Sequence, residues 1–121
     1  MFAGARVLIV EDDFFTALDL VEEIEACGGT VVGPYGTVRV ALRALETASV
    51  DAAILDANLA DRDVTPVALL LLERHVPLII HTGVGLPDAL KRWSGDLPVV
   101  MKPADAATAT AALELQLHKG H

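Results

Sequence analysis

The sequence predicts an α/β fold: a doubly wound, five-stranded parallel sheet with helices on both faces. Three observations carry that prediction. Five short apolar runs alternate with helical stretches along the chain. The connections between them are too short for anything but right-handed crossovers. Four of the five runs also end directly on reactive side chains: Glu11 and Asp12, Asp56, Thr82, and Lys102.

The first run, Val7-Leu8-Ile9-Val10, is unbroken and β-branched, as a strand buried on both faces should be, and it stops at Glu11-Asp12-Asp13. Phe15, Leu18, Val21 (with Leu20) and Ile24 then recur at helical spacing, and Cys27-Gly28-Gly29 closes that helix. Asp13 faces its start, where the helix dipole favours a carboxylate. A second strand, Thr30 to Gly33, is stopped by Pro34-Tyr35-Gly36. A second helix follows on Val38, Ala41, Leu42 and Leu45, with Thr37 as N-cap. The third strand, Ala52 to Leu55, runs straight into Asp56. After a polar loop, a third helix spans Val67 to Glu73 with Pro66 in its first turn. Pro77 to Ile80 forms a fourth strand ending at His81-Thr82-Gly83. Leu86 to Trp93 leaves room for about two helical turns, so the fourth helix is short or absent. Leu97 to Met101 is the fifth strand, ending at Lys102-Pro103. From Ala104 onward Ala and Leu build a final helix that frays at Lys119-Gly120-His121.

At 121 residues the chain suits one domain, 1–121, and is too short for two. No linker, repeat or low-complexity segment interrupts it, and it ends within its last helix, so no output domain is expected. With 53% apolar but only 4% aromatic residues, the core must consist of Ala, Val, Leu and Ile. A net charge of −8 argues against nucleic acid as a partner, because its phosphates would repel the chain. Cys27 is alone, and no run approaches the roughly 18 apolar residues of a membrane span. A cytoplasmic domain, monomeric or weakly dimeric and without membrane contact, is the expectation.

In open parallel sheets ligands bind at the carboxyl ends of the strands, beside the point where strand order reverses. Glu11, Asp12 and Asp56 converge on that edge and would repel one another without a cation; all-oxygen ligation points to Mg²⁺. Lys102 adds a compact positive charge and Thr82 a hydroxyl. Together they form a cradle for a transferring phosphoryl group, with Asp56 as the natural nucleophile.

These residues and spacings resemble the receiver (CheY-like) domains of two-component response regulators over essentially the whole chain. The carrying motifs are Val-Leu-Ile-Val-Glu-Asp-Asp (7–13), Ala-Ile-Leu-Asp-Ala-Asn-Leu (53–59), Ile-His-Thr-Gly (80–83) and Met-Lys-Pro (101–103). The resemblance implies a flavodoxin-like sheet of order 2-1-3-4-5. It implies Asp56 as phosphoacceptor, Asp12 bound directly to Mg²⁺, Glu11 bound mainly through water, and the backbone carbonyl of Asn58 completing the protein's share of the metal shell. Thr82 would hydrogen-bond the phosphoryl oxygen, Lys102 would pair with it, and a cis Lys102-Pro103 bond is usual. The implied partners are a histidine kinase or histidine phosphotransfer protein and a downstream protein. The implied role is a single-domain response regulator, a phosphate sink or a shuttle, without turnover of a separate substrate. Asn58-Leu59 through Thr65-Pro66, then Pro77 to Gly85, looks like the FATGUY-type single-domain receivers of alphaproteobacteria. His81 stands where that subgroup's name has Ala, and Val84 where it has an aromatic.

Two departures matter. Val99 occupies the position three before the lysine where many receivers carry a switch aromatic, so rearrangement of the Thr82–Asp96 segment is the expected readout. Leu59-Ala60-Asp61-Arg62-Asp63 replaces the family's common Leu-Pro…Gly turn. Asn58 and Val84 occupy the positions that tune phosphoryl lifetime in the family.

Plainer readings stand beside these. Exposed carboxylates are ordinarily solvated loop acids, Lys102 an ordinary strand-end lysine, and a Thr82 hydroxyl a partner for local backbone. His81 reads as packing; His75, His118 and His121 lack metal-ligand spacing. Tyr35 and Trp93 read as local packing. A haloacid-dehalogenase-like phosphatase is a rival, but Asn58 stands where its second Asp would supply the proton. A phosphate-independent pseudo-receiver, an interaction module on the same fold, is the other.

Overall fold

The computed structural model describes residues 2–119. Strand β1 (Arg6–Val10) lies between β2 (Thr30–Tyr35) and β3 (Ala52–Asp56). Beyond β3 come β4 (Leu78–Thr82) and the edge strand β5 (Val99–Met101). All neighbours pair in parallel, giving the order β2-β1-β3-β4-β5. This is the expected doubly wound topology, in which the order reverses between β1 and β3.

Side-chain alternation divides the core into two layers. Leu8, Val10, Ala53, Leu55, Leu78 and Ile80 face α2 (Val38–Leu45) and α3 (Thr65–Glu73). Val7, Ile9, Ala52, Ile54 and Ile79 face α1 (Phe14–Ala26) and α4 (Ala106–Lys119). The absence of polar alternation in these strands follows from burial on both sides. Tyr35 and Trp93 pack partly buried against the first layer, as expected. No helix among the described residues is long and apolar enough to cross a membrane.

The inward face of α1 differs from the expected stripe. Ala17, Leu20 and Ile24 are buried, whereas Phe15 is 73% and Leu18 41% exposed. Small Ala17 lets the helix approach the sheet, and a stripe weighted by side-chain bulk favours the phenylalanines on the wrong side. Strand β2 continues past Gly33 through Pro34 to Tyr35, with a register shift between Leu8 and Val10 of β1. Pro34 is tolerated because β2 is an edge strand. Gly33 has φ +102°, and a Cβ there would stand 2.9 Å from the Ile9 carbonyl oxygen. The peptide bonds Gly33-Pro34 and Lys102-Pro103 are cis, the second as expected.

The fifth strand is shorter than expected, since Pro98 contributes only its carbonyl, which accepts the Ile80 N–H at 2.9 Å. The fourth helix is a six-residue 3₁₀ turn, Asp88–Trp93, anchored by fully buried Leu90. Helix α4 begins at Ala106 rather than Ala104, because the Asp105 carboxylate accepts the Thr108 N–H at 2.8 Å and caps it there. The expected fraying at Gly120-His121 lies outside the described residues. Helix α3 closes with His75 at φ +58°, while Val76 N–H reaches back to the Leu71 carbonyl (2.9 Å) and His75 N–H to that of Leu72 (3.1 Å). That is the position where glycine is the favoured residue. His75→Gly is therefore expected to stabilise the fold by about 1 kcal/mol, as relief of left-handed strain. Urea denaturation checks this, and a lower midpoint would contradict it.

Candidate functional site

Fully buried Val7–Val10 and Ala52–Leu55 leave no slack at the ends of β1 and β3, so the next side chains are pinned at the sheet edge. Glu11 follows β1 and is 4% exposed; Asp56 closes β3 and is 9% exposed. Lys102 follows β5, and its Nζ sits 2.9 Å from Glu11 Oε1 and 3.5 Å from Asp56 Oδ2. The other Glu11 oxygen accepts the Asp13 N–H at 3.1 Å. Asp12 is exposed above them, and one carboxylate oxygen from each of Glu11, Asp12 and Asp56 lies within 4.8 Å of the others.

Burial is the largest influence on Glu11 and lifts its carboxyl to about 7; the nearby Asp56 carboxylate pushes the same way, while Lys102 and the Asp13 amide oppose it. Burial works against the charge on Lys102, but Glu11 and Asp56 outweigh it and hold the ammonium above its ordinary value. One lysine thus bridges Glu11 and Asp56, with the Asp12 carboxylate beside those two. An all-oxygen donor set with unbalanced negative charge and one solvent-facing member fits a hard divalent ion such as Mg²⁺.

No family model and no curated protein matches the chain. Among solved structures, SdrG from Sphingomonas melonis Fr1 is 34% identical, with a TM-score of 0.78 over 98% of this chain and 99% of that one. The signal receiver domain of a modulated diguanylate cyclase from Desulfovibrio desulfuricans G20 is 28% identical, with a TM-score of 0.79 over 97% and 96% of the two chains. The chain belongs to the receiver domains of response regulators. A CheY-like receiver domain protein from Methanospirillum hungatei JF-1, 21% identical over 97% and 96% of the two chains, superposes with a TM-score of 0.83 and adds a likeness of fold.

Within this receiver domain the remaining expected residues are placed unevenly. Thr82 ends β4, is 1% exposed, and its hydroxyl accepts the Val84 N–H at 3.2 Å, the local bond that its plainer reading anticipates. Among the described residues no hydrogen bond joins that hydroxyl to Asp56 or Lys102, although the Lys102 N–H donates to the Thr82 carbonyl at 2.8 Å. Asn58 lies just past Asp56 and bridges Asp63 across a tight loop, closed by Leu59 N–H to Arg62 O (3.0 Å) and Val64 N–H to Ala57 O (2.9 Å). Asp13 is the N-cap of α1: one oxygen accepts both the Thr16 N–H (2.9 Å) and the Thr16 hydroxyl (2.7 Å). Those two bonds hold it below the usual carboxylate range.

His81 packs, as its plainer reading has it, whereas Asp61 is a contributor that the sequence hardly marks. His81 is 2% exposed and stands in register with Asp56; burial, then the Lys102 charge, holds its imidazole below the ordinary value. Asp61, read only as part of an unusual turn, accepts the Val38 N–H (2.9 Å) and the Arg39 N–H (3.0 Å) at the start of α2. An acid five residues past the strand-end Asp56 and four before the helix start at Thr65 is the only hint the sequence offers.

The raised Glu11 sets a pH dependence. Between its ordinary value of 4.5 and about 7 the folded chain keeps a proton that the unfolded chain releases, so this group's contribution to stability is lost as pH rises through 7. A cation must displace that proton. The stabilisation added by saturating Mg²⁺ is thus expected to be larger at about pH 8 than at about pH 5.5. His81, held below its ordinary value, changes stability with pH in the opposite sense, so the metal-dependent increment in Tm, not the raw Tm, is the readout. An increment independent of pH would contradict the assignment.

Proposed function

We propose that this receiver takes part in a two-component phosphorelay, accepting a phosphoryl group on Asp56. The observation that carries the reading is the buried cluster: Glu11 and Asp56 share one lysine, with Asp12 beside them. In the transfer, an Asp56 carboxylate oxygen forms the new bond to phosphorus as the donor's bond to phosphorus breaks, and the donor leaves with the bonding electrons. Lys102 keeps its charge in that setting and neutralises one developing oxygen. Thr82 supplies its O–H as donor, since the Val84 N–H uses only the hydroxyl oxygen as acceptor. Glu11, Asp12, Asp56 and the Asn58 carbonyl would hold Mg²⁺, which when bound screens the charge of the transferring group.

The donor would be a histidine kinase, a phosphotransfer protein or a small acyl phosphate. Phe14 and Phe15, 70% and 73% exposed and stacked edge to face at 5.3 Å, open α1 directly after Asp12-Asp13, with Leu18 one turn on. They offer a donor protein an apolar foothold beside the acceptor. A downstream protein, or use as a phosphate sink or shuttle, would complete the role, in the cytoplasm and without turnover of a separate substrate. With Val99 aliphatic, readout falls to the Thr82–Asp96 segment, where the 3₁₀ turn replaces a full helix. The FATGUY-type subgroup suits that short segment. One observation favours the alternative of a phosphate-independent interaction module: Val99 stands where many receivers carry the switch aromatic.

Intact mass after incubation with acetyl phosphate decides between them. A single adduct that needs Mg²⁺ and is absent in Asp56→Asn is expected; labelling that survives Asp56→Asn would move the acceptor elsewhere. Loss of the adduct by at least tenfold is expected for Lys102→Ala, since removing one partner leaves the buried carboxylates uncompensated.

A further inference from the structure

Two segments that carry candidate metal ligands, Glu11-Asp12 and Asp56–Asn58, are linked through a third that carries none, Tyr35–Arg39, by the side chain of Asp61. The 57–64 loop is closed on itself by the Leu59–Arg62 and Val64–Ala57 bonds and the Asn58–Asp63 bridge. Its tip, Asp61, reaches across to α2, where its two oxygens take the N–H groups of Val38 and Arg39 at 2.9 and 3.0 Å. The segment just before α2 lies against the site: a Cβ on Gly36 would stand 3.8 Å from the Asp12 Cα, and the Glu11 N–H donates to the Tyr35 carbonyl at 2.9 Å.

We propose that Asp61 is a positioning residue for the metal side of the site, clasping the Asn58 loop to the Tyr35–Arg39 segment that supports Glu11 and Asp12. The proposal rests on the Mg²⁺-dependent reading above. A cation shared between β1 and the β3–α3 loop needs those two pieces at a fixed separation, and supporting groups of this kind govern metal affinity through the ligands they orient. Asp61 ties the 57–64 loop to the start of α2, at the end of the segment whose Tyr35 carbonyl takes the Glu11 N–H.

A simple helix cap is the competing account, and it has a distinct signature. Thr37 already caps α2 through its hydroxyl, which accepts the Val40 N–H at 3.2 Å, and it does so from within the α2 segment. Helix α2 has no acidic residue in its own first turn, so Asp61 also brings the only carboxylate described there, from 22 residues away. Removing Thr37 weakens the helix start and leaves the clasp; removing Asp61 opens the clasp and leaves the Thr37 cap.

The experiment is calorimetric titration of Mg²⁺ into the intact chain, comparing wild type, Asp61→Ala, Asp61→Asn and Thr37→Ala, each first shown folded by circular dichroism. Asp61→Ala is expected to raise the Mg²⁺ Kd about fivefold or more. Asp61→Asn, which keeps one acceptor oxygen, is expected to recover at least half of that loss on a logarithmic scale, and Thr37→Ala to stay within about twofold of wild type. A Kd for Asp61→Ala within twofold of wild type overturns the clasp while leaving the Mg²⁺ site intact. An equal shift in Thr37→Ala overturns it too, by reducing Asp61 to a helix cap. A wild type that binds no Mg²⁺ overturns the reading on which the clasp rests.

Discussion

Carboxylates driven into an apolar sheet edge with too little positive charge to balance them set the terms for the rest of this receiver domain. Glu11 and Asp56 are almost removed from water, and the ammonium of Lys102 is divided between them. Leaving a buried carboxylate without a counter-charge costs on the order of several kcal/mol. The fold bears this cost because the strands beneath are apolar on both faces and leave those side chains nowhere else to go. A site built this way fits a cation, whose charge would relieve it.

The surrounding architecture follows from keeping that edge rigid on one side and adjustable on the other. On the β1–β3 side, the Asp13 cap, the closed 57–64 loop and the Asp61 bonds to α2 fix the carboxylates. On the β4–β5 side, β5 has three residues, the helix between the two strands is reduced to a 3₁₀ turn, and the Thr82 hydroxyl bonds its near neighbour Val84. Phosphoryl binding would thus meet fixed ligands on one flank and a deformable segment on the other. That asymmetry gives a receiver without a switch aromatic somewhere to register the event.

Much of this was legible in the chain. Unbroken β-branched runs ending on acids announce doubly buried parallel strands and place Glu11, Asp12, Asp56 and Lys102 at one edge, where the structure brings them together. Thr37 and Pro66 marked helix starts correctly. What failed were judgements of facing and of cross-chain bonding. Phe15 and Leu18 outweighed Ala17 in a pattern based on bulk, yet the small residue is the one that fits against the sheet. The Asp61 bonds join residues more than twenty apart, and no local periodicity encodes them. Pro98 and Asp105 shifted element ends by the hydrogen bonds they lack or make, which a run of hydropathy does not register.

Phosphoryl transfer to Asp56 requires that this edge take up a phosphoryl mimic together with a divalent ion. Fluorine NMR of the protein with beryllofluoride measures this without relying on the lifetime of an acyl phosphate. A protein-bound fluoride resonance that appears only with Mg²⁺ and vanishes in Asp56→Asn is the predicted result. No bound resonance at saturating beryllofluoride and Mg²⁺, or one that persists without the metal, would contradict it.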